Sequence, residues 1–240
     1  MYYCILTGGR SRRMGQDKAF LELGGKYIVE VLINRFMGEG RKLCLSSSDG
    51  DVAGKLTHLR SRPREVADII REAGPIGGIY SLLKVLGEDI FVMATDMPFV
   101  DVRLARLIIA AAESPLYAGA ASGTAGMQLC NGAAAESAGM QLCNGAAAGM
   151  ADLCLLERNN GWLEPLFGFY SQSCLGSIEK MIAQGNYRLA ALADYVRVRR
   201  TPETDLAKAY GDGWERVLFN MNTPEDYTRA IQIYGSTSGL

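Results

Sequence analysis

An apolar run, Tyr2–Leu6, passes straight into Thr7 and two adjacent glycines, Gly8-Gly9, and then through a cationic stretch into a helix-like segment. That order constrains the fold more than any other feature of the chain. A strand, a glycine turn and a helix in succession form the opening unit of a parallel α/β sheet. Adjacent glycines let a backbone approach a ligand closely and turn its N–H groups into one concavity. Arg10, Arg12, Arg13 and Lys18 place four cations within nine residues, a charge density that suits a polyphosphate at a strand-to-helix turn. The turn is not a P-loop, because Lys18 follows Gln16-Asp17 and precedes Ala19. Nor is it the dinucleotide fingerprint, whose first two glycines are separated by one residue.

Strand-like and helix-like segments keep alternating over the first hundred residues. Lys26–Phe36 carries apolar residues at helical spacing, Lys42–Ser46 reads as a strand, and Leu56–Arg60 as a short one. Pro75–Leu86 is helical after a Gly-Pro start, Asp89–Thr95 is the most apolar strand of the chain, and Val102–Ala112 is an amphipathic helix. This alternation predicts a Rossmann-like, doubly wound, mostly parallel sheet. From Tyr117 to Met150 the composition collapses to Ala, Gly and Ser, and Ala125–Ala135 recurs almost verbatim as Ala138–Ala148. Two short copies do not make a solenoid, so the stretch reads as a low-complexity insertion without chemistry. Order resumes with a β-hairpin, Asp152–Glu157 and Trp162–Tyr170, around the turn Arg158-Asn159-Asn160-Gly161. Ser173–Gln184 and Leu189–Tyr195 read as helical, Val196–Arg200 and Val217–Asn220 as strands, and Pro224–Tyr234 as a last helix capped by Thr223 and Asp226.

Charge and cysteine usage exclude several classes. The net charge is −1 over 240 residues, so no global field recruits nucleic acid or a membrane surface. No apolar stretch reaches the roughly 18–20 residues of a membrane span, and the start lacks a basic leader. The six cysteines include no C-x-x-C pair, and Cys4, Cys44 and Cys154 sit in apolar runs as buried thiols. The chain therefore reads as a reduced, cytoplasmic protein of one domain. His58 is the only histidine, which rules out a site needing two imidazoles.

Asp96, in Thr95-Asp96-Met97-Pro98, follows the most apolar strand. A carboxylate at the carboxyl end of a central parallel strand lies where open α/β sheets bind ligands, and Mg²⁺ takes one or two carboxylates together with phosphate oxygens. Capping the next helix is the other role open to it, and Asp101 serves that better. Gly74-Pro75-Ile76-Gly77-Gly78-Ile79 opens a helix whose glycines permit either tight packing or ligand approach.

Taken together, Gly8-Gly9-Arg10-Ser11-Arg12-Arg13-Met14-Gly15-Gln16-Asp17-Lys18, Thr95-Asp96-Met97-Pro98, Gly74–Ile79, Glu164–Tyr170 and Asn220–Asp226 closely resemble the motifs of the molybdenum cofactor guanylyltransferases, the MobA-type nucleotidyltransferases. The resemblance spans residues 1–113 and 151–232 and leaves out the repeat. It implies a nucleotide-binding half, 1–113, and an acceptor-binding half, 151–240. It implies that Leu6, Thr7, Gly8, Gly9, Lys18, Ser46, Asp68, Gly77, Gly78 and Asp96 bind the nucleotide, that Lys18, Arg13 and Asp96 act in catalysis, and that Asp96 ligates Mg²⁺. Ser46 stands where some members carry asparagine. Asn220 and Asn222 reach the metal or phosphates, or shape a turn. Arg188 is a loop candidate for the pterin. The implied substrates are GTP and Mo-molybdopterin, with molybdoenzymes or cofactor-handling proteins as partners. A nucleotidyltransferase using CTP or a sugar phosphate, and a GTP-binding protein without catalysis, remain open readings of the same residues.

Overall fold

All five residues of Tyr2–Leu6 are buried, which requires cover on both faces of the sheet. The computed structural model describes residues 1–8, 17–48, 51–59, 62–114 and 150–237. Its strands are β1 (Tyr2–Leu6), β2 (Glu22–Leu23), β3 (Lys26–Tyr27), β4 (Lys42–Ser47), β5 (Arg64–Ala67), β6 (Ile90–Ala94), β7 (Leu153–Glu157), β8 (Leu163–Tyr170) and β9 (Val198–Pro202). Its helices are α1 (Ile28–Phe36), α2 (Val52–Lys55), α3 (Pro75–Leu86), α4 (Val102–Glu113), α5 (Leu175–Ala183), α6 (Glu203–Tyr210), α7 (Trp214–Val217) and α8 (Pro224–Thr237). Seven strands form one sheet in the order β5-β4-β1-β6-β8-β7-β9, and β2 pairs with β3 alone. Only β8 runs antiparallel within the large sheet.

Side chains alternate across the pleat. Tyr3 and Ile5 enter a core with Phe36 of α1 and Leu104 of α4, while Cys4 and Leu6 enter a second core with Ile79 of α3 and Ile178 of α5. The sheet is thus doubly wound and mostly parallel, as expected. The aromatic pair Phe91–Phe167, with ring centroids 4.9 Å apart and nearly perpendicular, packs β8 against β6. Cys4, Cys44, Cys154 and Cys174 are all buried free thiols.

Four local readings change. Leu56–His58 is a turn after α2, with only Leu56 buried, and the strand of this region is β5, which buries Val66 alone. The helix of Lys26–Phe36 starts at Ile28, because Gly24 and Gly25, both at positive φ, close a hairpin that takes Lys26 and Tyr27 into β3. Val217–Asn220 is not a strand: Val217 ends α7, and Val217, Leu218 and Met221 pack onto the sheet face without joining its ladder. The strand expected at Val196–Arg200 lies at Val198–Pro202, and α6 follows it unannounced. The capping box at Thr223 is present, with Thr223 N donating to Asp226 Oδ2 at 2.9 Å and Asp226 N to Thr223 Oγ1 at 3.2 Å. The Ala-Gly repeat lies outside the described residues.

Candidate nucleotide site at the sheet's carboxyl edge

From β1 the chain moves to β4 on one side and later to β6 on the other, so the crevice beyond the ends of β1 and β6 is the topological switch point where open sheets bind ligands. The loop after β1 and Asp96 after β6 both open there. Gly9 and Arg13 lie outside the described residues, whereas Leu6, Thr7, Gly8 and Lys18 lie within them.

One group of expected residues meets over β4 and β5. Thr7 N and Thr7 Oγ1 both donate to Ser46 O, at 2.9 and 2.7 Å. Ser46 Oγ donates to Asp68 Oδ1 at 2.9 Å. A Cβ on Gly78 would stand 3.1 Å from Ser46 Oγ, 3.2 Å from Leu6 Cδ2 and 3.5 Å from Asp68 Oδ1. Gly78 therefore lets α3 approach Leu6, Ser46 and Asp68 closely. Gly77 serves packing, since its Cβ would meet Ile70 O at 2.8 Å and Ala73 Cβ at 2.9 Å. Gly8 sits against Ser48, whose backbone N would be 3.3 Å from an added Cβ. Ser81 of α3 fixes the same corner, accepting from Ile69 N at 2.8 Å and donating to Gly77 O at 2.7 Å.

The second group centres on Asp96. Its Oδ1 is buried and has no hydrogen-bond partner among the described residues. Burial pushes its carboxyl above the usual range, and the nearby Lys18 cation pulls the other way. Lys18 Nζ donates to Met221 O at 2.6 Å and to Asn222 Oδ1 at 3.0 Å, while Met221 N donates to Asp96 O at 2.7 Å. Asn222 Nδ2 reaches Asn220 Oδ1 at 3.1 Å. The Asn220–Asn222 segment thus joins the Lys18 and Asp96 loops from the far end of the chain. Asp101 caps α4 through Leu104 N at 2.9 Å, which leaves Asp96 for another role. His58 lies away from this crevice, bonded to Glu30 of α1. Arg188 is exposed, its backbone N–H donating to Asn186 Oδ1.

A doubly wound sheet whose switch-point crevice brings Gly8, Lys18 and the buried Oδ1 of Asp96 to one edge defines an α/β protein of the kind that takes its ligand at that crevice. The chain belongs to the MobA-like NTP transferase domain family, whose model matches residues 3–200. A probable molybdenum cofactor guanylyltransferase of Pelotomaculum thermopropionicum is 30% identical over 229 residues, covering 94% of this chain and 89% of that protein. One from Peptoclostridium acidaminophilum is 26% identical over 230 residues, covering 95% and 87%. The crystal structure of molybdopterin-guanine dinucleotide biosynthesis protein A from Archaeoglobus fulgidus superposes with a TM-score of 0.70 at 25% identity, over 99% of this chain and all of that one.

Proposed function

We propose that the protein transfers GMP from GTP to the terminal phosphate of Mo-molybdopterin, forming molybdopterin guanine dinucleotide and releasing pyrophosphate. The observation that carries the reading is the buried, unpartnered Oδ1 of Asp96 beside Lys18 at the switch point. A desolvated carboxylate oxygen without a donor is costly unless a cation completes it. Asp96 therefore fits a divalent ion, and Mg²⁺ is the ion whose preference for few carboxylates plus phosphate oxygens matches this single ligand. Bound there, Mg²⁺ supplies Lewis-acid charge neutralisation on phosphate oxygens.

The protein's own residues do the rest. The cation-rich loop, with Arg13, Lys18 and the amides of Gly8 and Gly9, cradles the triphosphate. Leu6, Thr7, Ser46, Asp68 and Gly78 form the nucleoside side, and Gly77 lets α3 pack closely on Ile70 and Ala73. An acceptor phosphate oxygen attacks the α-phosphorus of GTP; the new P–O bond forms as the bond to the β-phosphate oxygen breaks, and the electron pair leaves with pyrophosphate. The nucleophile is already anionic, so no general base is required, in keeping with a crevice without histidine. The work is to bring two anions together and offset charge growing on the leaving group. Residues 1–113 hold the nucleotide and 151–240 the acceptor. Molybdoenzymes or proteins that handle the cofactor are the natural recipients of the product.

Isotope placement tests the reaction. With GTP labelled at the α-phosphate, the label moves into the pterin product; with the γ-phosphate labelled, it appears in pyrophosphate. Label at neither place, with Mg²⁺ and acceptor present, refutes transfer. Preference for GTP over CTP rests on the adjacent Gly8-Gly9 after the first strand, the glycine pair by which this chain resembles the guanylyltransferases.

A further inference from the structure

Ser81 lies on the face that α3 buries, the face of Ile76, Ile79, Leu82 and Leu83, and is itself 0% exposed. A hydroxyl desolvated in an apolar stripe costs stability unless its donor and acceptor roles are both filled. Both are filled here. Ser81 Oγ donates to Gly77 O at 2.7 Å, one turn back on the same helix, and accepts from Ile69 N at 2.8 Å. The first bond is one that a serine within a helix commonly makes to its own backbone. The second crosses from α3 to the loop leaving β5, and it lands on the residue next to Asp68.

That loop needs the tie. The Ile69 side chain is 53% exposed and supplies little anchorage, while Glu72 adopts φ +67, a left-handed conformation disfavoured for a residue with a Cβ. Asp68 is held from before by β4: its N–H donates to Ser47 O at 3.0 Å, and its Oδ1 accepts from Ser46 Oγ at 2.9 Å. From after, the backbone is held by α3, through Ile69 N on Ser81. Gly78, three residues before Ser81, brings the same helix close to Ser46, Leu6 and Asp68. An alanine at position 81 would suit the apolar stripe, but it would leave the Ile69 N–H without this acceptor.

We infer that Ser81 is a positioning residue for nucleoside recognition: by holding Ile69 N–H it sets the Asp68 carboxylate against Ser46, in the orientation that meets the nucleoside. The inference rests on the guanylyl-transfer reading, which puts Asp68 on the nucleoside side. Ser81 is buried behind that side and acts through Asp68. Its loss is therefore felt by a ligand that carries a nucleoside and not by a bare triphosphate, whose contacts are at Gly8 and Lys18.

The experiment measures equilibrium binding of GTP and of inorganic triphosphate, each with Mg²⁺, to the full chain carrying Ser81→Ala, Asp68→Asn or both. Ser81→Ala is expected to weaken GTP about tenfold and triphosphate by less than about twofold, with kcat at saturating GTP near wild type. In the Asp68→Asn background the same substitution is expected to change GTP affinity by less than about twofold, because residues acting as one unit are not additive. Ser81→Cys keeps the side chain's shape with a weaker acceptor; its GTP affinity is expected to fall between serine and alanine, and it carries the test if the alanine variant does not fold. Triphosphate binding and the melting temperature report folding. GTP affinity unchanged in the variants at Ser81, equal losses for GTP and triphosphate, or equal losses with and without the Asp68 carboxylate overturns the assignment. The two readings fail separately. If the binding pattern holds but the wild type releases no pyrophosphate, transfer falls and the role of Ser81 in nucleoside binding stands. If pyrophosphate is released and Asp68→Asn loses GTP affinity while Ser81→Ala does not, Ser81 falls and the transferase stands.

Discussion

Asp96 buries a carboxylate oxygen that no donor among the described residues completes. Burial raises its carboxyl toward the neutral form, and Lys18 is the charge that opposes this. Removing a well-placed charge-stabilising group typically costs about 100- to 1000-fold in rate. Asp96→Ala and Lys18→Ala are each expected to fall in that range in steady-state pyrophosphate release, and wild-type turnover in either contradicts the assignment. Stability should move the other way at Asp96. Without metal, Asp96→Asn is expected to melt at the same temperature as the wild type or higher, because the variant no longer buries a carboxylate lacking a donor. A clearly lower melting temperature would show that Asp96 is a structural residue. Both groups are legible in the sequence by type and place. Their union is not, since Lys18 reaches Asp96 through Met221, a partner 203 positions away.

Elements differ in how plainly the sequence announces them. β1 and β6 are buried on both faces, so they read as unbroken apolar runs. β5 is an edge strand that buries only Val66, and its apolar signal is too thin to outweigh the neighbouring Leu56. The 214–221 region packs three apolar residues on the sheet face through an irregular path, a pattern that mimics a strand in one dimension. Arg158, Glu164 and Glu203 go unseen as a group because the β7–β8 turn and the start of α6 meet only in the fold. Glu65 of β5 shows how an edge strand is held. Burial pushes its carboxyl up, but Ser47 Oγ and the N–H groups of Ala53 and Val52 outweigh this and leave it below the usual range. A carboxyl lowered on folding stabilises the protein fully above the ordinary carboxylate range and loses that contribution as pH falls through the lowered value. Glu65→Gln is therefore expected to lower stability at neutral pH by up to about 1 kcal/mol, since the carboxyl is half-exposed and solvent screens its charge. In denaturant titrations the gap to the wild type should narrow as the solution becomes acidic; a gap independent of pH would remove the charge from the explanation.

At the scale of the whole molecule, one sheet edge gathers the end of β1, Asp96, the Asn220–Asn222 segment and the β7–β8 turn. Among the described residues no helix is long and apolar enough to cross a membrane. Ser114 and Met150, the described residues that flank the repeat, lie at the opposite edge. The flanks are tied by Ala151 N to Ala112 O at 3.2 Å and by Arg199 to Ala111 O and Ser114 O. Because these flanks meet, replacing residues 116–149 with a short Gly-Ser linker is expected to leave melting temperature and turnover near wild type, loop-closure entropy changing only slowly with length. Loss of folding would show that the fold depends on the segment. The central claim is tested most directly by pyrophosphate release with Mg²⁺ and Mo-molybdopterin, supplying GTP, CTP, ATP and UTP in turn. Release with GTP and background levels with the other three is the expected result. Equal or greater release with CTP would contradict guanylyl transfer, and GTP binding without release from any nucleotide would contradict catalysis altogether.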